Sequence, residues 1–331
     1  MTAFRKHIAL EGKGLSLGYL HKNTKKEILH GLDFQLFRGE LTCLLGPNGV
    51  GKSTLIKAIL GHISPWQGQI LLEGKPIQTF NPEQLAKQIS VVLTDPVFPG
   101  NMTVGQLVAL GRTPHTGWMG KLAQTDREIV EKALFDTKTE PIRDERLSEI
   151  SDGQRQKAMV ARALAQDGQL IILDEPTAHL DLENRLELMH LLRGIARDQG
   201  KAVLVVTHDL DIALETADRF WLIGRERKLA AGIPEDLILS GEINRLLPGD
   251  KFHFSPERGK VETKDQLASD WKIEGDNAWV FWVEKALSKA RIPAVSDPIF
   301  IKSEPLSLEF RGKSFGSLSD LVLFLTKDSK V

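Results

Sequence analysis

A glycine-rich segment near the start of the chain sharply restricts the fold; it reads Gly46-Pro47-Asn48-Gly49-Val50-Gly51-Lys52-Ser53-Thr54. It follows the apolar run Leu41–Leu45, and a helical pattern begins within it. Glycine lets the backbone curl so that several N–H groups face one point, and the dipole of the following helix adds positive potential there. The G-x4-G-K-S spacing therefore predicts a strand, a phosphate-binding loop and a helix in direct succession.

Lys52 and Ser53 would supply the side-chain chemistry of this loop. The Lys52 ammonium is expected to bridge the β- and γ-phosphates of a triphosphate, and the Ser53 hydroxyl to reach Mg²⁺. Two acids, Asp174 and Glu175, follow a second apolar run, Leu170–Leu173. The carboxyl end of a parallel strand is the sheet edge where ligands bind. We therefore expect Asp174 to hold the Mg²⁺ shell and Glu175 to position or polarise an attacking water.

Apolar runs alternate with helical patterns over most of the chain, which predicts an α/β fold. Continuous apolar runs predict strands buried on both faces of a parallel sheet at Leu41–Leu45, Ile89–Leu93, Leu170–Leu173 and Ala202–Val206. Helical patterns occupy Ser53–His62, Arg127–Phe135, Gly153–Ala165 and Glu183–Asp198. The N-terminal part instead predicts antiparallel strands at Leu15–Tyr19, Leu32–Phe37 and Gln69–Leu72.

Length and charge narrow the class of protein further. A chain of 331 residues suits one large and one small domain. The net charge of −1 argues against a nucleic-acid partner, so none is expected. The single cysteine, Cys43, lies in an apolar run and is predicted to be buried in a strand. The sequence shows neither a signal peptide nor a membrane span, so any membrane association is expected to come through a partner.

A second region begins at a Pro-Gly break, Pro248-Gly249. Residues 250–331 hold ten of the 21 aromatic residues, among them Trp271, Trp279 and Trp282, which predicts a separate small core. The pattern predicts a small α+β unit with a helix at Trp279–Ala290, a strand at Leu306–Phe310 and a second helix at Ser317–Thr326. A regulatory or dimerising role and a purely stabilising role both stay open for this region.

The order of the motifs resembles the ATP-binding cassette of ABC transporters over about residues 4–245. After the phosphate loop come Ser151-Asp152-Gly153-Gln154 at a helix start, Leu173-Asp174-Glu175-Pro176-Thr177, Leu180-Asp181 and Thr207-His208-Asp209. The resemblance implies a P-loop ATPase core with a parallel sheet, an antiparallel β subdomain and a helical subdomain at about 96–160. It also implies a cassette domain at 1–247, and the region after it is predicted to form a small accessory domain at 248–331.

The resemblance assigns a role to each matched position. ATP and Mg²⁺ are the implied cofactors, bound by the phosphate loop with Ser53 and Asp174 on the metal. Tyr19 would stack on adenine, while Lys52, Glu175 and His208 would act in catalysis. Ser151, Asp152, Gly153 and Gln154 would form the signature motif, which reaches the γ-phosphate on the opposite subunit of a homodimer. Asp181 would lie in the D-loop at that dimer interface.

A narrower resemblance rests on Val108-Ala109-Leu110-Gly111-Arg112-Thr113-Pro114-His115. This segment is similar to one in the importers of iron-siderophores, haem and cobalamin. It implies an ATPase on the cytoplasmic face of the membrane that works with a membrane permease and, through it, a substrate-binding protein. An importer of another metal or nutrient, a soluble ABC protein outside transport and a non-catalytic nucleotide sensor are the alternatives.

Two positions depart from the family pattern. Thr94 stands where most members carry the Q-loop glutamine that couples to the permease. Asp152 replaces a signature glycine, and two like charges 4 Å apart repel by roughly 4 kcal/mol at an effective dielectric of about 20. Asp152 is therefore expected to point away from the phosphate or to pair with Arg155.

Overall fold

The computed structural model describes residues 7–21, 24–93, 101–117, 120–263, 271–293, 297–303 and 306–328. By internal contacts the chain divides into two units. The first comprises Met1–Pro248 with Phe254–Lys260, and the second Gly249–His253 with Val261–Val331. That residues 1–247 and 248–331 form two independently folding domains stays a prediction.

The first unit contains two sheets. Its strands are β1 (Ile8–His21), β2 (Thr24–Phe37), β3 (Leu41–Leu45), β4 (Gln67–Leu72), β5 (Lys75–Pro76), β6 (Ile89–Val92), β7 (Leu170–Asp174), β8 (Ala202–Thr207), β9 (Arg219–Ile223) and β10 (Leu229–Gly232). One sheet has the order β10-β9-β3-β8-β7-β6, parallel except at β10. The other is antiparallel with the order β2-β1-β4-β5. Both predicted sheet types are confirmed, whereas β9 and β10 were missed.

The first unit also contains α-helices. They are α1 (Lys52–Ile59), α2 (Pro82–Gln88), α3 (Val104–Ala109), α4 (Gln124–Asp136), α5 (Asp152–Ala165), α6 (Leu182–Gln199), α7 (Leu210–Thr216) and α8 (Pro234–Leu239), with short 3₁₀ segments at Ile77–Thr79, Leu110–His115, Glu140–Ile142 and Glu242–Leu246. The predicted end of the first helix at His62 was wrong. α1 stops at Ile59 because Gly61 takes a left-handed conformation, with φ 73°, that ends helices.

Strand β3 shows why the central runs are apolar at every position. Leu41, Cys43 and Leu45 face the cluster formed with α3–α7, while Leu44 faces the cluster shared with the antiparallel sheet. Successive side chains of a strand point to opposite faces, so a strand covered on both faces needs no polar alternation. Cys43 is fully buried, as predicted, and burial raises the pKa of its thiol.

The second unit is a small α+β fold, as predicted. After a 3₁₀ segment at Gly249–Lys251, β11 (Phe252–Ser255) and β12 (Lys260–Thr263) form a two-stranded sheet whose residues are divided between the two units. A four-stranded sheet then follows, made of β13 (Ile273–Glu274), β14 (Ile299–Ser303), β15 (Leu306–Phe310) and β16 (Lys313–Phe315), together with α9 (Asn277–Lys289) and α10 (Leu318–Asp328).

The core of the second unit differs from the aromatic core that composition suggested. Its buried residues are mainly aliphatic, with Phe310 the aromatic member. Trp271 contacts this core from a partly buried position, but Trp279 and Trp282 are 38% and 55% exposed. Both lie on α9, whose buried residues are Val283 and Leu287, so aromatic content overstated the part of these two tryptophans in the core. Among the described residues, no helix combines the length and apolarity that crossing a membrane requires.

Candidate functional site

The phosphate loop connects β3 to α1 and depends on glycine at two points. Gly49 and Gly51 have φ angles of 76° and 119°, which side chains other than glycine rarely adopt. A Cβ on Gly51 would also lie 2.9 Å from the side chain of Leu29. Helix α1 begins at Lys52 without a side-chain cap and without an acidic residue in its first turn. Its unpaired first-turn N–H groups and positive dipole end suit an anion.

Lys52 lies inside the curve of this loop. Its Nζ donates hydrogen bonds to the carbonyl oxygens of Gly46, at 2.6 Å, and of Pro47, at 3.3 Å. Burial lowers the pKa of Lys52, against the opposing effect of the Glu175 and Asp174 carboxylates. The ammonium group is thus enclosed by the loop and within the electrostatic reach of both acids.

Tyr19 is brought to the same loop from strand β1. Its hydroxyl lies 3.3 Å from Oγ1 of Thr54, and its side chain is part of the exposed surface. Strand β1 thereby places one aromatic ring beside the N-terminal half of α1, where a base attached to the bound phosphates could stack.

Asp174 and Glu175 end strand β7, as the sequence predicts. Burial, and secondarily the charge of Glu175, raises the pKa of Asp174, while Lys52 acts in the opposite direction. Glu175 has a φ of 49° and donates its backbone N–H to the carbonyl of Val206 at 2.9 Å. This left-handed backbone at a residue other than glycine is strained by about 1–2 kcal/mol.

His208 follows the neighbouring strand β8 and meets the same acid. Its Nδ1 lies 2.9 Å from Oε2 of Glu175. The His208 side chain is 70% exposed, whereas that of Glu175 is 19% exposed. Since Asp174 pairs with Val206 in the β7–β8 ladder, the ends of the two strands are adjacent and direct both side chains to one edge. Lys52, Asp174, Glu175 and His208 therefore form one polar site beside the phosphate loop.

Ser151–Gln154 form the start of α5. Ser151 Oγ accepts a hydrogen bond from the Gln154 backbone, and Gln154 Oε1 accepts one from the Ser151 backbone. This reciprocal capping box explains the residue types at both positions. In the part of the chain that the structure describes, none of the hydrogen bonds or ion pairs of these four residues reaches the phosphate loop of the same chain.

Asp152 pairs with Arg155, one of the two arrangements expected from the sequence. Arg155 Nη1 donates to Oδ1 of Asp152 at 2.8 Å. The same guanidinium donates to the carbonyls of Leu147, at 3.2 Å, and Ile150, at 3.3 Å. Arg155 is therefore anchored on the loop before α5 while it neutralises the acid.

Asp181 is placed at the N-terminus of α6 and caps it. Its Oδ1 accepts hydrogen bonds from the backbone N and the side-chain Nδ2 of Asn184, at 2.9 and 2.8 Å. Asn184 also touches the signature helix, because a Cβ on Gly153 would lie only 2.6 Å from its Oδ1. The signature glycine and the D-loop acid thus share one contact residue.

Thr94, at the Q-loop position, lies outside the described residues. The segment Leu110–His115 is a 3₁₀ helix whose arginine is buried. Arg112 donates to Oδ1 of Asp126 at 2.9 Å and to the carbonyl of Ala165 at 2.8 Å. These contacts join the segment to α4 and α5.

Arg185 is a site-adjacent residue that the sequence analysis missed. It lies in the first turn of α6 and contacts both Leu180 and Asp209. Its position four residues after the capping Asp181 offered a weak local signal, but its pairing with Asp209 crosses 24 residues.

A phosphate loop, two acids at a strand end and a histidine on the adjacent strand define a P-loop ATPase of the ABC type. The ABC transporter family model matches residues 29–178. An uncharacterized ABC transporter ATP-binding protein of Methanocaldococcus jannaschii is 39% identical to this chain over 80% of it and 90% of that protein. The chain therefore belongs to the family of ABC transporter ATP-binding proteins, and the predicted class, an ATP-binding transport ATPase, is confirmed.

Two further relatives support this identification. The ferric enterobactin transport ATP-binding protein of Escherichia coli is 33% identical over 72% of this chain and 86% of that protein. The solved structure of cbiO1 from Clostridium perfringens, part of the ABC transporter complex cbiONQ, superimposes with a TM-score of 0.63. It is 31% identical and covers 72% of this chain and 94% of that one. The match confirms the predicted P-loop ABC ATPase fold.

Proposed function

We propose that the chain hydrolyses ATP to power an importer of iron bound to a siderophore. The observation that carries the hydrolytic part is the hydrogen bond between His208 and Glu175 beside the phosphate loop. The cargo class rests on the likeness to the ferric enterobactin transport protein and on the Val108–His115 segment. Haem and cobalamin belong to the same proposed cargo class, and an importer of another metal or nutrient is the second candidate.

The residues at the site fit ATP with Mg²⁺. Mg²⁺ prefers hard oxygen ligands and water, and Ser53 and Asp174 offer a hydroxyl and a carboxylate. When bound, the ion would neutralise charge on the β- and γ-phosphates. Lys52 would hold the same phosphates, and Tyr19 would stack on adenine. Glu175 would orient the attacking water and accept its proton, while His208 would donate a hydrogen bond to the γ-phosphate.

A homodimer would complete each site. Ser151–Gln154 of one copy would contact the γ-phosphate bound to the other, with Asp181 at the interface. Beside Asp181, Leu182 is 67% exposed, which suits a surface that a second copy covers. Two copies arranged head to tail would close around two ATP molecules.

This arrangement predicts that Arg155 protects the site from Asp152. Replacing Arg155 by Gln leaves an unpaired carboxylate facing the γ-phosphate, and we expect ATP turnover to fall about tenfold. The exposed ion pair contributes less than about 1 kcal/mol, but the hydrogen bonds of Arg155 to the Leu147 and Ile150 carbonyls contribute about 0.5–1.5 kcal/mol each, so the free energy of unfolding should fall by about 1–3 kcal/mol. The D152G/R155Q double variant should recover most of the turnover in a steady-state phosphate-release assay. A double variant as slow as R155Q would contradict this role.

A membrane permease is the proposed partner, which would hold the chain at the cytoplasmic face of the membrane. An open cleft of about 760 Å³ supports this proposal, because apolar side chains of α1, α2 and β6 line it together with Ser53 and Asp174. A permease element in this cleft would reach residues of the ATP site. A substrate-binding protein would join the complex through the permease.

The transport role can be tested by purifying the tagged full-length chain from its native membranes in mild detergent. We expect an integral membrane protein to co-purify in stoichiometric amount, and ATP hydrolysis by the complex to rise when a ferric siderophore and its binding protein are added. Zinc and manganese are the cargo controls, while stimulation by haem or cobalamin would assign the cargo to another member of the proposed class. Co-purification with only soluble proteins would contradict the transport role and favour an ABC protein outside transport.

A further inference from the structure

Arg185 joins two parts of the site that are separate in sequence. Its Nε donates a hydrogen bond to the carbonyl oxygen of Leu180 at 2.6 Å. Its Nη1 donates to Oδ2 of Asp209 at 3.2 Å. Leu180 is buried and directly precedes the D-loop residue Asp181, while Asp209 directly follows His208. One guanidinium therefore links the D-loop to the histidine segment.

Asp209 is held from three directions. Its Oδ1 accepts the Ile212 backbone N–H at 3.3 Å, which caps α7, and its own N–H donates to Thr207 Oγ1 at 3.1 Å. The contact with Arg185 occupies its second carboxylate oxygen. Removing Arg185 would leave the cap in place but delete this hydrogen bond between the histidine segment and α6.

His208 depends on this support because its own side chain has little. The imidazole is 70% exposed, and its described polar contact is with Glu175. The path of the backbone through Thr207 and Asp209 must therefore set where the ring lies. A displacement of about 1 Å at a reacting centre can slow turnover about a hundredfold.

We propose that Arg185 is a positioning residue for ATP hydrolysis, holding the D-loop and His208 in a fixed relation. This inference rests on the proposed hydrolytic function. The two bonds come from different nitrogens of a planar fork, a geometry that the single ammonium of lysine does not reproduce. Arg185 touches neither Glu175 nor the phosphate loop through any of its described hydrogen bonds, so its effect passes through the two segments.

The test compares kcat and KM for ATP with Mg²⁺ in the full-length chain. R185Q should lower kcat about 10- to 100-fold while KM changes less than about twofold, because binding groups stay in place. R185K should have a kcat close to that of R185Q. If R185Q does not fold, R185K is the variant that tests the proposal. R193Q is the matched control, since Arg193 lies on the same helix and pairs with Asp218 at 2.8 Å with similar exposure. We expect R193Q to keep wild-type kcat.

A double-variant cycle tests whether Arg185 acts through its bond to Asp209. D209N keeps a capping oxygen but weakens the ion pair, and R185Q/D209N should be no slower than the slower single variant. The inference is overturned if R185Q matches R193Q, if R185K restores kcat, if the two losses add or if only KM changes. E175Q in the same assay separates the two hypotheses, because wild-type turnover in E175Q contradicts the hydrolytic function itself whatever R185Q does.

Discussion

Replacing Glu175 by Gln is expected to reduce steady-state ATP turnover about 10²- to 10⁴-fold, the range of a positioned proton acceptor. An amide keeps the size of the side chain and can still face His208, but it does not accept the proton of the attacking water. Lys52 and the glycine loop are unchanged, so ATP should still bind. Hydrolysis would then no longer open the closed dimer, and the variant should accumulate as an ATP-bound dimer.

The measurement pairs phosphate release with the molar mass in solution, by light scattering with and without ATP. Glu73→Gln is a matched control, because Glu73 also has a left-handed backbone, with φ 48°, and a side chain that is 24% exposed. It pairs with Arg38, and the two residues directly follow strands β4 and β2 of the antiparallel sheet. E73Q should turn over at the wild-type rate and show no ATP-dependent dimer trap. Wild-type turnover in E175Q would refute the catalytic role of Glu175.

Replacing Asp126 by Ala is expected to lower the free energy of unfolding by about 3–5 kcal/mol, since it leaves a buried guanidinium unpaired. The Arg112 and Asp126 side chains are 6% and 10% exposed, and their ion pair spans 2.9 Å. Asp126 Oδ2 also accepts the Ala123 backbone N–H at 2.9 Å. Glu131→Ala on the same helix is the control, because its pair with Arg143 is exposed and should contribute less than about 1 kcal/mol.

Chemical denaturation followed by circular dichroism measures both variants. The R112M/D126A double variant should be more stable than D126A, because it also removes the buried Arg112 charge that D126A leaves without its carboxylate partner. A double variant that is less stable than D126A would show that the stranded charge is not the cause.

Lowering the pH should reduce the difference in stability between wild type and D126A. The Ala123 N–H, and next the Arg112 hydrogen bond, hold the pKa of Asp126 below its ordinary value. A lowered folded-state pKa contributes stability that is complete above the unfolded pKa, about 4, and disappears as pH falls through the folded value. The difference in free energy of unfolding between wild type and D126A should therefore be constant near neutral pH and should decrease below about pH 4.

The phosphate loop could be predicted because its chemistry is local in sequence. Glycines, Lys52 and Ser53 lie within eight residues, and the strand and helix around them have clear apolar patterns. The positions of Asp174 and His208 could also be predicted. Each stands at or just after the end of a parallel strand, and the carboxyl ends of parallel strands meet at the same edge of the sheet. The pairing of Asp152 with Arg155 was accessible for the same reason, since the two residues are one helical turn apart.

The remaining features depend on contacts that no local pattern records. The partner of Arg185 is 24 residues away, and the partner of Arg112 lies across a loop on another helix. Strand β9 was missed because its four apolar residues, Phe220–Ile223, stand beside a charged turn and resemble many buried segments. The left-handed backbone of Glu175 follows from tertiary contacts, since nothing in its residue type favours that conformation.

The position of Cys43 has a practical consequence for observing closure of the cassette. It is the only cysteine in the chain, it lies in β3 between β8 and β9, and it is fully buried with a raised thiol pKa. Thiol reagents attack exposed thiolates, so the native protein is effectively unreactive to them. A cysteine introduced at an exposed position can thus carry a single spin label or fluorophore without altering the native sequence elsewhere, and the spacing between labels in two copies can be followed through a turnover cycle.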